Sequence, residues 1–452
     1  MSASNFPGKW VSAINAAPTR AVFMFFDVLD ELLCVSFRLL DECLEGKSNS
    51  CYCSKPVENK YEDPEFLSET LFRRRNFLRE TNLLRFARKP ELSKKMGLVR
   101  FLRKFLFPEK MKRRGSEPAN RWSDCGCKNC VSWTKSDKLN VVVKQPSLQD
   151  FLMNNKPTEN VILIHGFMGS SSFWTNTVLK NLSEHATSNY KFFAVDLLGF
   201  GDSPKPRNNL YTLKDHVEMI EKSVILPYGL NSFHVVAHSM GCIIGVALAS
   251  KYSTIVKSVA LVAPPYFANS EGEGASLGVL DVIAEKKLWP PPAFFTAVMS
   301  RYEHVGRCIC FIICRHHRIW ERIIKIITWK RSISPMIRDM TKHTHHSAWH
   351  SVHNVICGGA KFTDRNLGVL ADSEVRIHVV QGDLDEVVPL DCIRNMKTKF
   401  PTVEVEIVAG TDHRTVITGR RKAFTAKLES LWDSIEKNQN GSLAQGNFIT
   451  SS

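Results

Sequence analysis

The chain has 452 residues, 44% of them apolar, and a formal net charge of +15. A length and apolar share of this kind can bury a full core, which excludes a disordered or fibrous protein. The charge is uneven, since sixteen Lys or Arg stand against three Glu between Arg73 and Arg114, and the natural partner of that stretch is anionic.

In chain order, the first signal is the apolar run from Ala21 to Leu40, preceded by Lys9 and Arg20, which reads as a signal or anchor helix over about 21–43. Asp27, Asp30, Glu31, Cys34, Arg38 and Asp41 recur at intervals of three or four residues, so they share one helical face with Phe and Leu on the other. That pattern favours an interfacial helix or weak signal anchor over a transmembrane span. In the basic stretch that follows, Leu71, Phe72, Phe77, Leu83, Leu84, Phe86, Val99, Phe101, Leu102, Phe105 and Leu106 alternate with the charges. The mixture suits an anionic membrane surface better than nucleic acid, which is not expected as a partner.

Thirteen cysteines, an odd number, are scattered along the chain. Cys125, Cys127 and Cys130 have the short spacing of zinc-binding thiolates. Three ligands without a nearby fourth make a disulfide with Cys51 or Cys53 an equal alternative, and inert buried thiols are the leading reading. No metal and no cofactor are therefore assigned. Residues 1–132 form a helical, basic N-terminal extension.

After Ser132 the pattern changes. Trp133 to Lys144 reads as a small hairpin, and Val161–Ile164, Phe192–Val195, Phe233–Val236, Val259–Val262, Val375–Val380 and Val403–Val408 read as short, nearly continuous apolar strands. Crossover helices fit between most of them, at Phe173–His185 and Leu213–Leu226 for example. The fold class is α/β, a mostly parallel sheet with helices on both faces. The core is expected over 133–265 and 374–435, and residues 266–373 form a helical cap insertion over the carboxyl ends of the strands, where such sheets bind ligands. The polar tail 436–452 reads as a flexible terminus.

The strand Val235–Val236 runs through Ala237–His238–Ser239–Met240–Gly241 into a helical segment, the pattern of a nucleophile elbow. Ala237 stands where G-x-S-x-G has its first glycine. A Ser hydroxyl needs a base held in one tautomer by an acid, and Asp385 and His413 follow Ser239 in the order found in hydrolases. Asp385 fits G-x-x-D after its strand and is preferred to Asp383 and Glu386, while Asp412 reads as a turn residue. His165–Gly166–Phe167 supplies an early loop, so the amides of Phe167 and Met240 are the candidate oxyanion donors. Asp196 to Ser203 lacks the G-x-G-x-x-G spacing and reads as a structural loop beside the pocket. His304, His316, His317, His343, His345, His346, His350 and His353 crowd the insertion without a complete ligand pattern, and lid packing or solvent exposure is the expectation for them.

Taken as a set, His165–Gly166–Phe167, Asp196 to Ser203, the elbow, Gly382 to Pro389 and Gly410 to His413 resemble the α/β-hydrolase superfamily over about Asn140 to Trp432. Trp122–Ser123–Asp124–Cys125–Gly126–Cys127, the basic N-terminal third and Pro264–Pro265–Tyr266–Phe267 resemble, more narrowly, the plant Bodyguard family. That resemblance implies a lysophospholipase-like hydrolase, membrane-associated or in the cell wall of the epidermis, needed for cuticle and cutin deposition. It also implies Ser239, Asp385 and His413 as the catalytic set. Phe294, Phe295, Phe311, Trp320 and Trp329, interspersed with Arg and Lys in the cap, point to a long-chain acyl ester or lysolipid substrate. Transfer of the acyl group to an alcohol, as in a polyester synthase, and a non-catalytic lipid-binding scaffold are the alternatives. The sequence carries no reading of oligomeric state.

Overall fold

The computed structural model describes residues 7–45, 67–72, 76, 121–132, 136–147, 158–268, 274–329 and 331–446. Most of the basic stretch Arg73–Arg114 and both Cys51 and Cys53 lie outside the described residues. Among the described residues seven strands form one sheet: β1 (Val141–Lys144), β2 (Glu159–Ile164), β3 (Tyr190–Val195), β4 (Phe233–His238), β5 (Val256–Val262), β6 (Arg376–Gly382) and β7 (Glu404–Val408). Their order is β1-β3-β2-β4-β5-β6-β7. Of these seven, β1 alone runs antiparallel, pairing Val141 with Val195 and Lys144 with Phe192.

Of the hairpin expected over Trp133–Lys144, the start at 133–135 lies outside the described residues. Its described second half is an edge strand of the sheet whose ladder is made with β3.

Side chains of the central strands alternate between two apolar layers, as the twofold period of a strand requires. Ile162, Ile164, Phe193, Val195, Val235, Ala237, Val259 and Leu261 face one layer. Val161, Leu163, Phe192, Ala194, Val236, Ala260 and Val262 face the other. Both faces are covered, which explains why these strands read as unbroken apolar runs. The helices that cover them and build the cap and extension are labelled α1 (Pro7–Glu45), α2 (Lys128–Ser132), α3 (Leu213–Ile220), α4 (Met240–Lys251), α5 (Glu303–Ile313), α6 (His317–Thr328), α7 (Thr363–Asp372) and α8 (Arg421–Gly446).

Two expected boundaries move. Val355, Phe362, Leu367 and Leu370 belong to the same apolar layer as the sheet, so the end of the 266–373 insertion is core rather than cap. The physical reason is topological, because parallel β5 and β6 need a crossover, and α7 supplies it. At the carboxyl end, α8 continues past Glu436 to Gly446 into the stretch expected to be flexible. Once a helix is seeded by packing, each further residue adds one hydrogen bond at little cost.

The α1 helix shows the expected segregation, with its acidic face turned toward the protein and several of its apolar residues turned outward. Asp27, Asp30, Glu31, Cys34 and Asp41 are buried, while Met24, Phe25, Val28, Leu32 and Leu40 are exposed. The acids dock on α5 of the cap. Asp30 accepts the backbone N–H of His304 at 2.8 Å and of Val305 at 3.2 Å. Arg307 grips Asp41 with both terminal nitrogens, at 2.8 and 2.6 Å, a bidentate geometry that suits two desolvated charges. Among the described residues, no helix is long and apolar enough to cross a membrane.

Candidate active site

The site is built at the carboxyl ends of β2, β4, β6 and β7. Ser239 follows β4 with φ 54° and ψ −127°, a region that L-residues avoid and that persists when the surroundings enforce it. Its strain turns the side chain out of the sheet, and α4 begins at the next residue. The helix is buried on nearly all sides, with Met240 to Val246 all inside, so strand and helix must approach closely.

Ala237 departs from the usual elbow glycine, and the structure shows what accommodates it. A Cβ at Gly245, two turns into α4, would lie 3.1 Å from the Ala237 Cβ and 3.2 Å from Val235 Cγ1. The missing side chain is thus on the helix opposite the alanine methyl. A pattern confined to five residues cannot register this exchange.

Asp385 lies in the loop after β6 and is fully desolvated at its side chain. Its Oδ1 accepts the amides of Val387 and Val388, both at 2.8 Å. Its Oδ2 accepts from Gln381 Nε2 at 3.0 Å and from His413 Nδ1 at 2.8 Å. Gln381 also donates to the Val388 carbonyl at 2.8 Å, tying the loop to the strand end. Asp383 and Glu386, the competing acids, are exposed. Gly382 is needed because a Cβ there would sit 2.3 Å from the Thr411 carbonyl oxygen. That contact seats the acid's loop on the histidine's loop, and Leu384 N–H donates to the same carbonyl at 2.9 Å.

His413 follows β7. With its Nδ1–H given to Asp385, Nε2 carries the lone pair and lies 2.9 Å from Ser239 Oγ. The structure therefore brings Ser239, His413 and Asp385 into one hydrogen-bonded row, with Ser239 and His413 still partly open to solvent. Asp412 caps the local turn instead, accepting the amides of Arg414 and Thr415 at 2.9 and 2.8 Å.

Two histidines that the sequence reading left without a role hold this row in place. His238 donates from Nε2 to the His413 carbonyl at 2.9 Å, and Phe173 stacks on its ring. Burial, reinforced by the neighbouring His413 ring, pushes the His238 imidazole down to about 3 and keeps it neutral. His165 donates from Nδ1 to the Gly166 carbonyl at 2.7 Å and accepts the Leu197 amide on Nε2 at 2.9 Å. It braces the loop that carries Phe167 against the loop after β3. Burial lowers its pKa as well.

The Phe167 loop turns tightly, with Gly169 N–H on the Gly166 carbonyl at 3.1 Å and Met168 at φ 55°. A Cβ on Gly166 would touch Ser239 Cβ at 3.0 Å, which places the loop beside the hydroxyl. Met240 is the first residue of α4, where the N–H lies outside the helical ladder and is available to an anion. The cap reaches this loop too, since Asp339 accepts the hydroxyls of Ser170, at 2.6 Å, and Ser172. Asp196 organises the loop after β3 by accepting the amides of Ser171 at 2.6 Å and Asp202 at 2.8 Å.

A family model described as "alpha/beta hydrolase fold" matches residues 159–286. The chain is similar to "Probable lysophospholipase BODYGUARD 5" of Arabidopsis thaliana, with 64% identity over 442 residues, covering 97% of this chain and all of that one. It is 55% identical over 436 residues to "Probable lysophospholipase BODYGUARD 4" of the same plant, covering 95% of this chain and all of that one. Identity to "Probable lysophospholipase BODYGUARD 1" is 37% over 454 residues, covering 92% and 96% of the two chains.

Proposed function

The chain belongs to the Bodyguard family within the α/β-hydrolase superfamily, and from that premise we propose that it cleaves carboxylic esters of lipids by a Ser239–His413–Asp385 mechanism. The observation that carries the proposal is the unbroken row of hydrogen bonds from Asp385 through His413 to Ser239, 2.8 and 2.9 Å long.

In this reading His413 Nε2 takes the proton of Ser239 as its Oγ attacks the ester carbonyl. The amides of Phe167 and Met240 receive the oxyanion, and His413 returns the proton to the leaving alcohol. Water, activated by the same imidazole, then releases the acid. Asp385, with both oxygens fixed by four donors, stabilises the imidazolium and holds its tautomer.

A lipid ester is favoured over a small soluble one by the surface around the cap. The α6 helix buries none of its side chains and exposes Ile319, Trp320, Ile323, Ile326 and Ile327, followed by Trp329 at 93% exposure. Arg318, Arg322 and Lys325 stand on the same helix. Apolar side chains beside cations fit acyl chains and anionic headgroups at an interface. An anionic membrane surface as partner, a place at the cell membrane or in the cell wall, and a part in cuticle and cutin deposition belong to this proposal. Transfer of the acyl group to an alcohol in place of water uses the same residues.

The test is labelling with a fluorophosphonate probe, together with hydrolysis of p-nitrophenyl esters of increasing chain length. Wild type should label and prefer long chains, and Ser239→Ala should lose both activities. Equal labelling of Ser239→Ala would overturn the mechanism, and equal rates across chain lengths would overturn the lipid reading.

A further inference from the structure

The second cluster of chemistry in this molecule lies outside the hydrolytic site and joins residues far apart in sequence. Cys125 and Cys127 flank Gly126, and Cys130 lies one turn after Cys127 on α2, so their thiols share one side of the turn. Facing them is His317, at the start of α6 and 187 positions beyond Cys130. The ligand atoms of all four residues lie within 4.8 Å of one another. Cys127 Sγ and Cys130 Sγ are 3.4 Å apart, and His317 Nε2 lies 3.7 Å from the former and 3.6 Å from the latter.

These separations decide among three readings. A disulfide is excluded for this arrangement, since bonded sulfurs lie about 2.05 Å apart, and none of the described cysteines is in one. Hydrogen bonding is a poor account. The other ring nitrogen of His317 faces Glu321 Oε1 at 3.2 Å; with its proton given there, Nε2 offers a single lone pair to three weak S–H donors. A tetrahedral ion fits better. Sulfurs about 2.3 Å and a nitrogen about 2.0 Å from a common centre stand roughly 3.5–3.8 Å from one another. The Glu321 contact is then the outer carboxylate that orients a ligating imidazole and fixes its tautomer.

We propose that Cys125, Cys127, Cys130 and His317 bind a zinc ion in a closed Cys3His site that fastens the segment preceding the hydrolase core to the cap. Three Zn–S bonds and one Zn–N bond form as three thiol protons pass to solvent. Four protein ligands leave no position for water, so the ion is structural. Its mechanical role follows from what else the segment touches. Trp122 donates from its indole to Asp41 at 2.6 Å and from its backbone to Glu45 at 3.0 Å, and Ser123 faces Arg307. One ion therefore secures a junction of α1, the segment at 121–132 and the cap.

A second trio, Cys310, Cys314 and His343, brings sulfur to within 3.7 Å of nitrogen twice, with three donors only. It serves as the internal control. The experiment uses the full-length chain, reconstituted with zinc and dialysed, with bound metal measured by mass spectrometry and its ligands by X-ray absorption. About one zinc per chain is expected, with three sulfurs at about 2.3 Å and one nitrogen at about 2.0 Å. Cys127→Ala and His317→Ala should lower the content at least fivefold, whereas His317→Cys, which restores a fourth ligand, and Cys314→Ser should retain it. Since the alanine variants risk misfolding, the absorption spectrum of the wild type and the retention by His317→Cys stand independently of them. Zinc content unchanged in both alanine variants, wild-type protein that holds none after reconstitution, or a disulfide among the three cysteines found by alkylation mapping would each overturn the proposal.

Discussion

Replacing Asp385 by Asn tests the role of the acid with almost no change of shape. The carboxylate accepts four hydrogen bonds, two from the Val387 and Val388 amides on Oδ1 and two from Gln381 and His413 on Oδ2. Asparagine keeps one acceptor atom, and the backbone amides cannot move, so its oxygen stays with them. Its NH2 group then faces the His413 Nδ1–H, and the imidazole relieves the clash by shifting its proton to Nε2. That shift removes the lone pair now aimed at Ser239. A wrong tautomer in such a triad costs about 10^4 in turnover, equivalent to about 5 kcal/mol of transition-state stabilisation, and the unmatched buried donor adds about 1–3 kcal/mol to the loss of folding stability. The rate of fluorophosphonate labelling and the hydrolysis of a long-chain p-nitrophenyl ester both read the first effect, and urea unfolding reads the second. Asp383→Asn and Glu386→Gln, at exposed positions, should stay within a fewfold of wild type. A loss below tenfold in Asp385→Asn, with the fold intact, would refute the assignment of the acid.

Two further expectations concern stability. Gly245→Ala gains about 1 kcal/mol of helix propensity but forces a methyl against Ala237 and Val235, at about 1–3 kcal/mol of overpacking. The net should be a lower urea midpoint, partly recovered in the double variant with Ala237→Gly; strict additivity of the two changes would contradict the compensation described for the elbow. The second is a pH dependence of the α1 seat. Burial lowers the His304 pKa, but Glu303, Asp30 and Cys34 more than offset it and hold the imidazole well above its usual value. A raised folded pKa stabilises fully below the unfolded value of about 6.5 and fades as pH climbs through the folded one. Protease resistance of α1 should accordingly fall from about pH 6.5 upward, and His304→Gln should flatten the trend. A protection that rises with pH in wild type relative to the variant would contradict it.

The fold class was legible because both faces of the sheet are covered, which turns β2 to β6 into unbroken apolar runs. Ser239, Asp385 and His413 were legible for a related reason, since each follows a recognisable strand at a loop with few geometric options. What escaped the sequence is long-range pairing. Nothing local to Gly245 announces that it faces Ala237, and nothing local to His238 or Gln381 shows that each clamps a neighbouring loop. Which face of α1 packs on the protein was hidden because periodicity separates two faces without saying which is inward. Asp30 and Asp41 are buried only because backbone N–H groups and Arg307, over 260 residues away, meet them. His317 was lost in a crowd of histidines for the same reason, its sulfur neighbours lying far upstream.

The inward carboxylates of α1 bear on how the protein is handled in the laboratory. Trimming the chain after Glu45, in the manner of a cleaved leader, would leave the buried Arg307 guanidinium without its bidentate partner Asp41. A preparation shortened in that way would lack the seat of α1, and weak turnover from it would say little about the role proposed for Ser239.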